Sequence, residues 1–211
     1  RSSDLATGLF EKYHEEFLLT GKTATGASPG TTLGNISSWV AQDLQVDGPE
    51  FSHSVTCSTG LHSVLNAIAW LRAGFAEKFL AGGSEAALTP FTIAQMKAMK
   101  IYATQDADYP CRALDLQKRK NSMILGEAAG ITALENEQSA RSLARITGIG
   151  YATEKLKHSV SISENGESLQ KAMKKALNGQ QEVDAVVMHA PGTLKGDLSE
   201  VNALKSLFGE E

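Results

Sequence analysis

The stretch FSHSVTCSTGLHSVLNAIAWLRAG, residues 51–74, sets one cysteine where a short extended pattern gives way to a helical one. Residues 51–56 read as a strand of alternating character. The apolar spacing after them predicts a helix from about Thr59 to Arg72 that stops at Gly74. A side chain on such a turn stands at the mouth of the helix. There the dipole and the first backbone N–H groups favour a thiolate and can hold a developing oxyanion. Ser58, Thr59 and Gly60 are small enough for a tight turn and for close approach by a substrate. Serine elbows in hydrolases obey the same geometry. Cys57 therefore has two readings: a nucleophile, or the small buried hydrophobe that most lone cysteines are.

Helical and extended patterns alternate along the rest of the chain, which predicts an α/β layered fold. Residues 4–20 read as an amphipathic helix, with Leu5, Leu9, Tyr13 and Phe17 four apart. TGKTATGASPGTTLGN reads as a loop. Asn35 or Ser37 is placed to cap a helix running to about Asp43, and DGPE makes a turn. EKFLAGGSEA reads as a short buried strand that breaks at its glycine pair. Residues 90–100 read as a helix with proline in its first turn, and 101–122 look irregular. MILGEAAGITALEN has strand character around a Gly-rich bend, and a new strand is expected near 144. GESLQKAMKKALNG reads as a helix ending at Gly179. VDAVVMHAPGTLKGD reads as a strand running into a loop, and DLSEVNALKSLFG as a last helix. The order restarts near residue 147, so two similar halves are expected, residues 1–146 and 147–211.

His189 is the second residue of interest. It stands where an apolar strand meets a Gly/Pro loop, and strand carboxyl ends are where ligands meet open α/β sheets. An imidazole there can exchange a hydrogen bond with a substrate carbonyl. The alternative is a strand-end histidine satisfied by backbone. His14 falls on the polar part of a helix, His53 inside the strand before Cys57, His62 one turn into the following helix, and His158 in a polar loop. Cys111 follows a proline in an irregular stretch and reads as inert or surface-exposed.

Composition narrows the function classes. With 211 residues, 42% of them hydrophobic, the chain can build one sizeable core or two small domains. A net charge of −4 and the lack of basic or aromatic-basic runs argue against a nucleic-acid partner. No apolar stretch reaches the roughly 18 residues a membrane span needs. Two cysteines make no disulfide framework and no metal spacing such as C-x-x-C, so no metal or cofactor is expected. A reducing cytoplasm suits that cysteine usage. The chain opens on RSSDLATGLF without a start methionine, as expected of a piece of a longer polypeptide.

Four motifs together, VTCSTG (55–60), LAGGSEA (80–86), LGEAAGITALE (125–135) and HAPGTLKGD (189–197), resemble the β-ketoacyl-acyl carrier protein synthases of the thiolase superfamily. About 130 residues separate Cys57 from His189, in the family's order. The resemblance implies a thiolase-like α-β-α-β-α fold of two similar halves, here incomplete. It implies a decarboxylating Claisen condensation. Cys57 takes an acyl group as a thioester from acyl carrier protein or coenzyme A. A malonyl thioester then loses carbon dioxide, and the carbanion attacks the acyl-cysteine. His189 is implied as the first of two active-site histidines, stabilising the enolate, and the Cys57 N–H as part of an oxyanion hole. Thr193 is implied as a contact to the pantetheine arm. The implied assembly is a homodimer or heterodimer.

The sequence departs from the family pattern in places. Pro191 stands where the family has the first of two threonines, and Ala190 where it has glycine. QKRKNSM replaces a segment that normally reads Asp-x-x-Arg-Asp-Gly-Phe, which points to a specialised lipid or pigment branch. The family is about twice this length, so the first and last quarters are expected to lie outside the chain. With them would go the second histidine, a lysine near it and a Gly-Phe gating loop, and the isolated chain is expected to be inactive. A non-catalytic ketosynthase-like partner subunit and a thiolase-type acyltransferase are the alternatives. Retention of Cys57 argues against the first, and the HAPGTLKGD loop against the second.

Overall fold

The computed structural model describes residues 7–32, 34–105, 107–155, 161–180 and 182–209. The chain divides into two compact units, Arg1–Gln95 with Leu125–Arg141 and Met96–Ile124 with Ser142–Glu211.

The first unit carries α1 (Thr7–Thr20), α2 (Ala27–Thr31), α3 (Asn35–Leu44), α4 (Thr59–Arg72), β1 (Lys78–Ala86), the start of α5 (Pro90–Ala98), and β2 (Glu127–Glu135). Of the helix expected over 4–20, the part before Thr7 lies outside the described residues. Part of the expected Gly/Thr/Ser loop is helical, as α2. Helix α3 starts at Asn35 after Gly34, with no side-chain cap. Asn35 instead donates to the Pro29 carbonyl at 2.7 Å, and the Ser37 hydroxyl pairs with that of Ser52. Buried Thr89 opens α5: its hydroxyl accepts from the Thr92 amide at 3.2 Å, and Pro90 supplies the fixed φ of a first helical residue.

β1 and β2 pair antiparallel from Lys78 opposite Glu135 to Ala86 opposite Glu127. The strand does not break at its glycines, which let neighbouring backbone approach closely. A Cβ on Gly82 would lie 2.2 Å from the Gly130 carbonyl oxygen, and one on Gly83 3.3 Å from Gly60 Cα in α4. The core of this unit is small: Ala67, Ile68 and Leu71 of α4, with Ala81 and Ala87. Beside it, Phe51 stacks on Trp70 at 5.8 Å and meets Phe79 at 6.0 Å. These rings moor the segment before Cys57 to α4 and β1 without sheet pairing.

The second unit carries the end of α5, α6 (Glu167–Leu177) and α7 (Leu194–Phe208). Helix α6 ends on Asn178 and Gly179, both left-handed, with Lys174 and Lys175 in its last turn. Near its start, Glu154 accepts from the Ser163 hydroxyl and from the Ser163 and Ser168 amides. Burial pushes the Glu154 carboxyl up, but those hydrogen bonds, helped by Lys171, hold it below its ordinary value.

Three expected strands are not strands. Residues 51–56 contribute only an isolated bridge between Val55 and Cys57. The stretches near 144 and 183–188 form no strand among the described residues, and Val187 is 99% exposed. Apolar alternation allows a strand, but only a neighbour's N–H and C=O groups make one.

Candidate active site

Cys57 is exposed, two residues before α4, and forms no disulfide. Buried Thr59 builds its turn: the Thr59 hydroxyl accepts from the Val55 amide at 2.9 Å and donates to the Thr56 carbonyl at 2.7 Å. Ser58 donates to the Val55 carbonyl at 3.1 Å. The Ser and Thr residues that marked this stretch thus tie the turn to itself. Thr56, next to the cysteine, has φ 54, a left-handed value for a β-branched residue. Strain of this kind costs roughly 1–3 kcal/mol and is held only where the surroundings impose it. His62 bonds the Ser58 carbonyl through its ring at 3.0 Å, a structural role. His14 stacks on Phe10, and Cys111 is exposed. His158 lies outside the described residues.

His53 was not expected to matter, yet it lines a cavity of about 770 Å³ in the first unit with Val40, Phe51, Phe79, Ala81 and Ile131. Burial and the nearby His62 lower its pKa, while the Thr59 backbone acts the other way. Its Nε2 is buried with no hydrogen-bond partner among the described residues.

His189 is exposed at the start of the loop that leads into α7. With Asn121, Met123, Pro191, Thr193 and Glu200 it lines a cavity of about 530 Å³ in the second unit. Both backbone amides at the turn donate to one carboxylate, His189 N to Glu200 at 2.6 Å and Ala190 N to Glu200 at 2.8 Å. Thr193 caps α7, its hydroxyl accepting from Gly196 N at 3.1 Å. His189 and Thr193 therefore share a cavity, and Cys57 belongs to the first unit.

Ala190 has φ 46. Left-handed backbone costs a residue with a Cβ roughly 1–2 kcal/mol. Replacing Ala190 by Gly removes that strain and adds some unfolded-chain freedom, so Ala190→Gly is expected to stabilise by about 1 kcal/mol. A urea midpoint that falls in this variant contradicts the strained backbone.

Sequence reasoning missed the groups that anchor this loop. Asp197 and Glu200 lie three apart on α7, so both project toward its N-terminus and the loop. Two acids in the first turns after a Gly/Pro loop were the available signal.

Two profiles match the chain: Beta-ketoacyl synthase, N-terminal domain, over residues 5–140, and Beta-ketoacyl synthase, C-terminal domain, over residues 143–211. The chain belongs to the beta-ketoacyl synthase family. It is 30% identical over 206 residues to a 3-oxoacyl-[acyl-carrier-protein] synthase 2 of Vibrio harveyi, covering 92% of this chain and 49% of the relative. It is 32% identical over 180 residues to that of Staphylococcus aureus, covering 81% and 44%. The chain thus spans about half the length of the curated relatives it matches. Among solved structures, a type II PKS ketosynthase bound to a hexaketide, in complex with its acyl-carrier protein, matches with TM-score 0.83 at 20% identity, over 99% of this chain and 55% of that one. A beta-ketoacyl synthase from Burkholderia phymatum matches with TM-score 0.78 at 21% identity, over 94% and 50%. The fold is the thiolase-like α/β fold of these ketosynthases, represented here over about half its length. No helix among the described residues is long and apolar enough to cross a membrane.

Proposed function

We propose that this beta-ketoacyl synthase chain holds the acyl-accepting half of a site for decarboxylating Claisen condensation. The observation that carries the reading is the exposed Cys57 thiol on a strained turn at the start of α4, within a chain of this family. The Cys57 thiolate attacks an acyl thioester carbonyl and expels the carrier thiol, leaving an S-acyl cysteine. A malonyl thioester then loses carbon dioxide, and the electron pair of the broken C–C bond becomes an enolate. Its carbon attacks the acyl-cysteine carbonyl, and the Cys57 thiolate leaves. The product is a β-ketoacyl thioester. His189 stabilises the enolate oxygen, and Thr193 meets the pantetheine arm with whatever hydrogen-bonding capacity its cap leaves.

The substrates are acyl and malonyl thioesters on acyl carrier protein, in fatty acid or polyketide-type elongation. The Vibrio harveyi relative is named for acyl-carrier protein, and one matching ketosynthase is solved with its acyl-carrier protein. A ketosynthase from Xenorhabdus doucetiae, TM-score 0.80 at 20% identity over 95% of this chain and 50% of that one, is solved with its chain length factor. That supports a dimer, homomeric or with such a partner. A cytoplasmic site suits cysteines that form no disulfide. The two halves divide near residue 146, a reading supported by separate N-terminal and C-terminal family matches over 5–140 and 143–211.

Alkylation tests the nucleophile. Iodoacetamide at limiting dose is expected to leave one adduct, on Cys57, in the natural full-length protein, and acyl thioester added first is expected to block it. Peptide mass spectrometry locates the label. Equal labelling of Cys57 and exposed Cys111, with no protection by acyl thioester, refutes the assignment.

A further inference from the structure

The segment 114–123, which holds the QKRKNSM departure from the family pattern, grips the His189 loop in the second unit. Asp197 is fully buried. Its Oδ1 accepts from Gly192 N at 2.9 Å, and its Oδ2 accepts from Leu114 N at 2.7 Å and from Lys118 Nζ at 2.6 Å. The Lys118 side chain is 3% exposed and also donates to the Asp115 carbonyl at 3.2 Å. Ser122 closes the other side, its amide and hydroxyl donating to the Gly192 carbonyl at 2.9 and 3.0 Å. Asn121 accepts from Leu194 N at 2.9 Å. Gly192, at φ 77, has a backbone strained for any side chain, and a Cβ would crowd Ser122 and Met123 backbone atoms at 3.2–3.3 Å. The loop is thus held at 189 and 190 by Glu200, at 192 by Asp197 and Ser122, and at 194 by Asn121.

We infer that Lys118 is a positioning residue: it neutralises buried Asp197 and so fixes the loop that presents His189. A buried carboxylate without its cation seeks water or protonation. Either change loosens its hold on Gly192, three residues from the imidazole. Misplacement on the ångström scale lowers a reaction by around a hundredfold. The link from loop to catalysis rests on the proposed role of His189, while the clamp itself stands on the geometry alone.

Hydrogen exchange and turnover on the natural full-length protein separate the two. In Lys118→Met, the amides of 189, 190 and 192–194 are expected to exchange at least about tenfold faster while α6 is unchanged. Malonyl decarboxylation is expected to fall about 10- to 100-fold, mainly in kcat, with Cys57 acylation kept within about twofold. Lys118→Arg, which keeps the charge, is expected to restore both. If Lys118→Met does not fold, the charge-neutral pair Lys118→Met with Asp197→Asn is expected to fold and to show the same loosened loop. Unchanged loop exchange and decarboxylation in a folded variant overturns the inference. So does exchange that rises equally in α6 and the loop, with acylation and decarboxylation lost in the same proportion. A loosened loop in a protein whose wild type never decarboxylates malonyl thioester supports the clamp and refutes the proposed function.

Discussion

Replacing His189 by Ala is expected to lower malonyl decarboxylation by about two to four decades while acylation of Cys57 persists. Loss of carbon dioxide leaves negative charge on the thioester oxygen of the enolate. One well-placed hydrogen-bond donor or acid–base group contributes on that scale. The substitution leaves the backbone anchors of the loop in place. The amide of residue 189 that donates to Glu200 is present in alanine too, and Ala190 N keeps its bond to the same carboxylate. The variant therefore loses an imidazole while keeping both backbone bonds of the turn to Glu200. Acylation involves Cys57, whose turn is built by Thr59, Ser58 and Val55 in the other unit. Carbon dioxide release from malonyl thioester, set beside the mass of the acyl-cysteine, reads both steps. Equal decarboxylation in variant and wild type removes His189 from the mechanism. Parallel loss of both steps points to a damaged fold.

All the helices but α2 were legible because their signals are local. Pro90 at a helix start, Asn178–Gly179 at a helix end and Gly74 after Arg72 each act within a few residues. The turn at Cys57 was legible for the same reason, since Ser58, Thr59 and the helix they open lie within one window. Strands were less so. Lys78–Ala86 finds a partner in Glu127–Glu135 and pairs along its whole length, glycines included. Residues 51–56 and 183–188 have similar patterns and pair with no strand among the described residues. The anchors of the His189 loop were illegible for a further reason. Lys118 and Asp197 are 79 residues apart, and each alone resembles a surface charge in a polar stretch. Only the fold brings them into contact and buries both, and no periodicity encodes a contact of that range.

Stability is expected to respond most to a methyl group at Gly150. The sequence TGIGYA places glycines two apart, and both lie against the backbone of α6 at Ala172 and Ala176, one turn apart. A Cβ on Gly150 would stand 1.8 Å from the Ala172 carbonyl oxygen and 2.8 Å from Ala176 N. A Cβ on Gly148 would stand 1.8 Å from the Ala176 carbonyl oxygen. Both obstacles are backbone of an intact helix, so no rotamer change relieves them. The segment 147–151 must lift away from α6, breaking the Lys175 bond to the Tyr151 carbonyl at 2.9 Å and unseating the ammonium 4.5 Å from the Tyr151 ring centre. Overpacking against groups that can yield costs about 1–3 kcal/mol, and more where they cannot. Gly150→Ala is therefore expected to cost about 3 kcal/mol or more. Gly126→Ala makes a fitting control, because a Cβ there meets nothing within 4 Å, and surface changes of that kind stay within about 0.5 kcal/mol. Urea midpoints of the two variants decide it. If Gly150→Ala unfolds where Gly126→Ala does, residues 147–151 do not pack on α6.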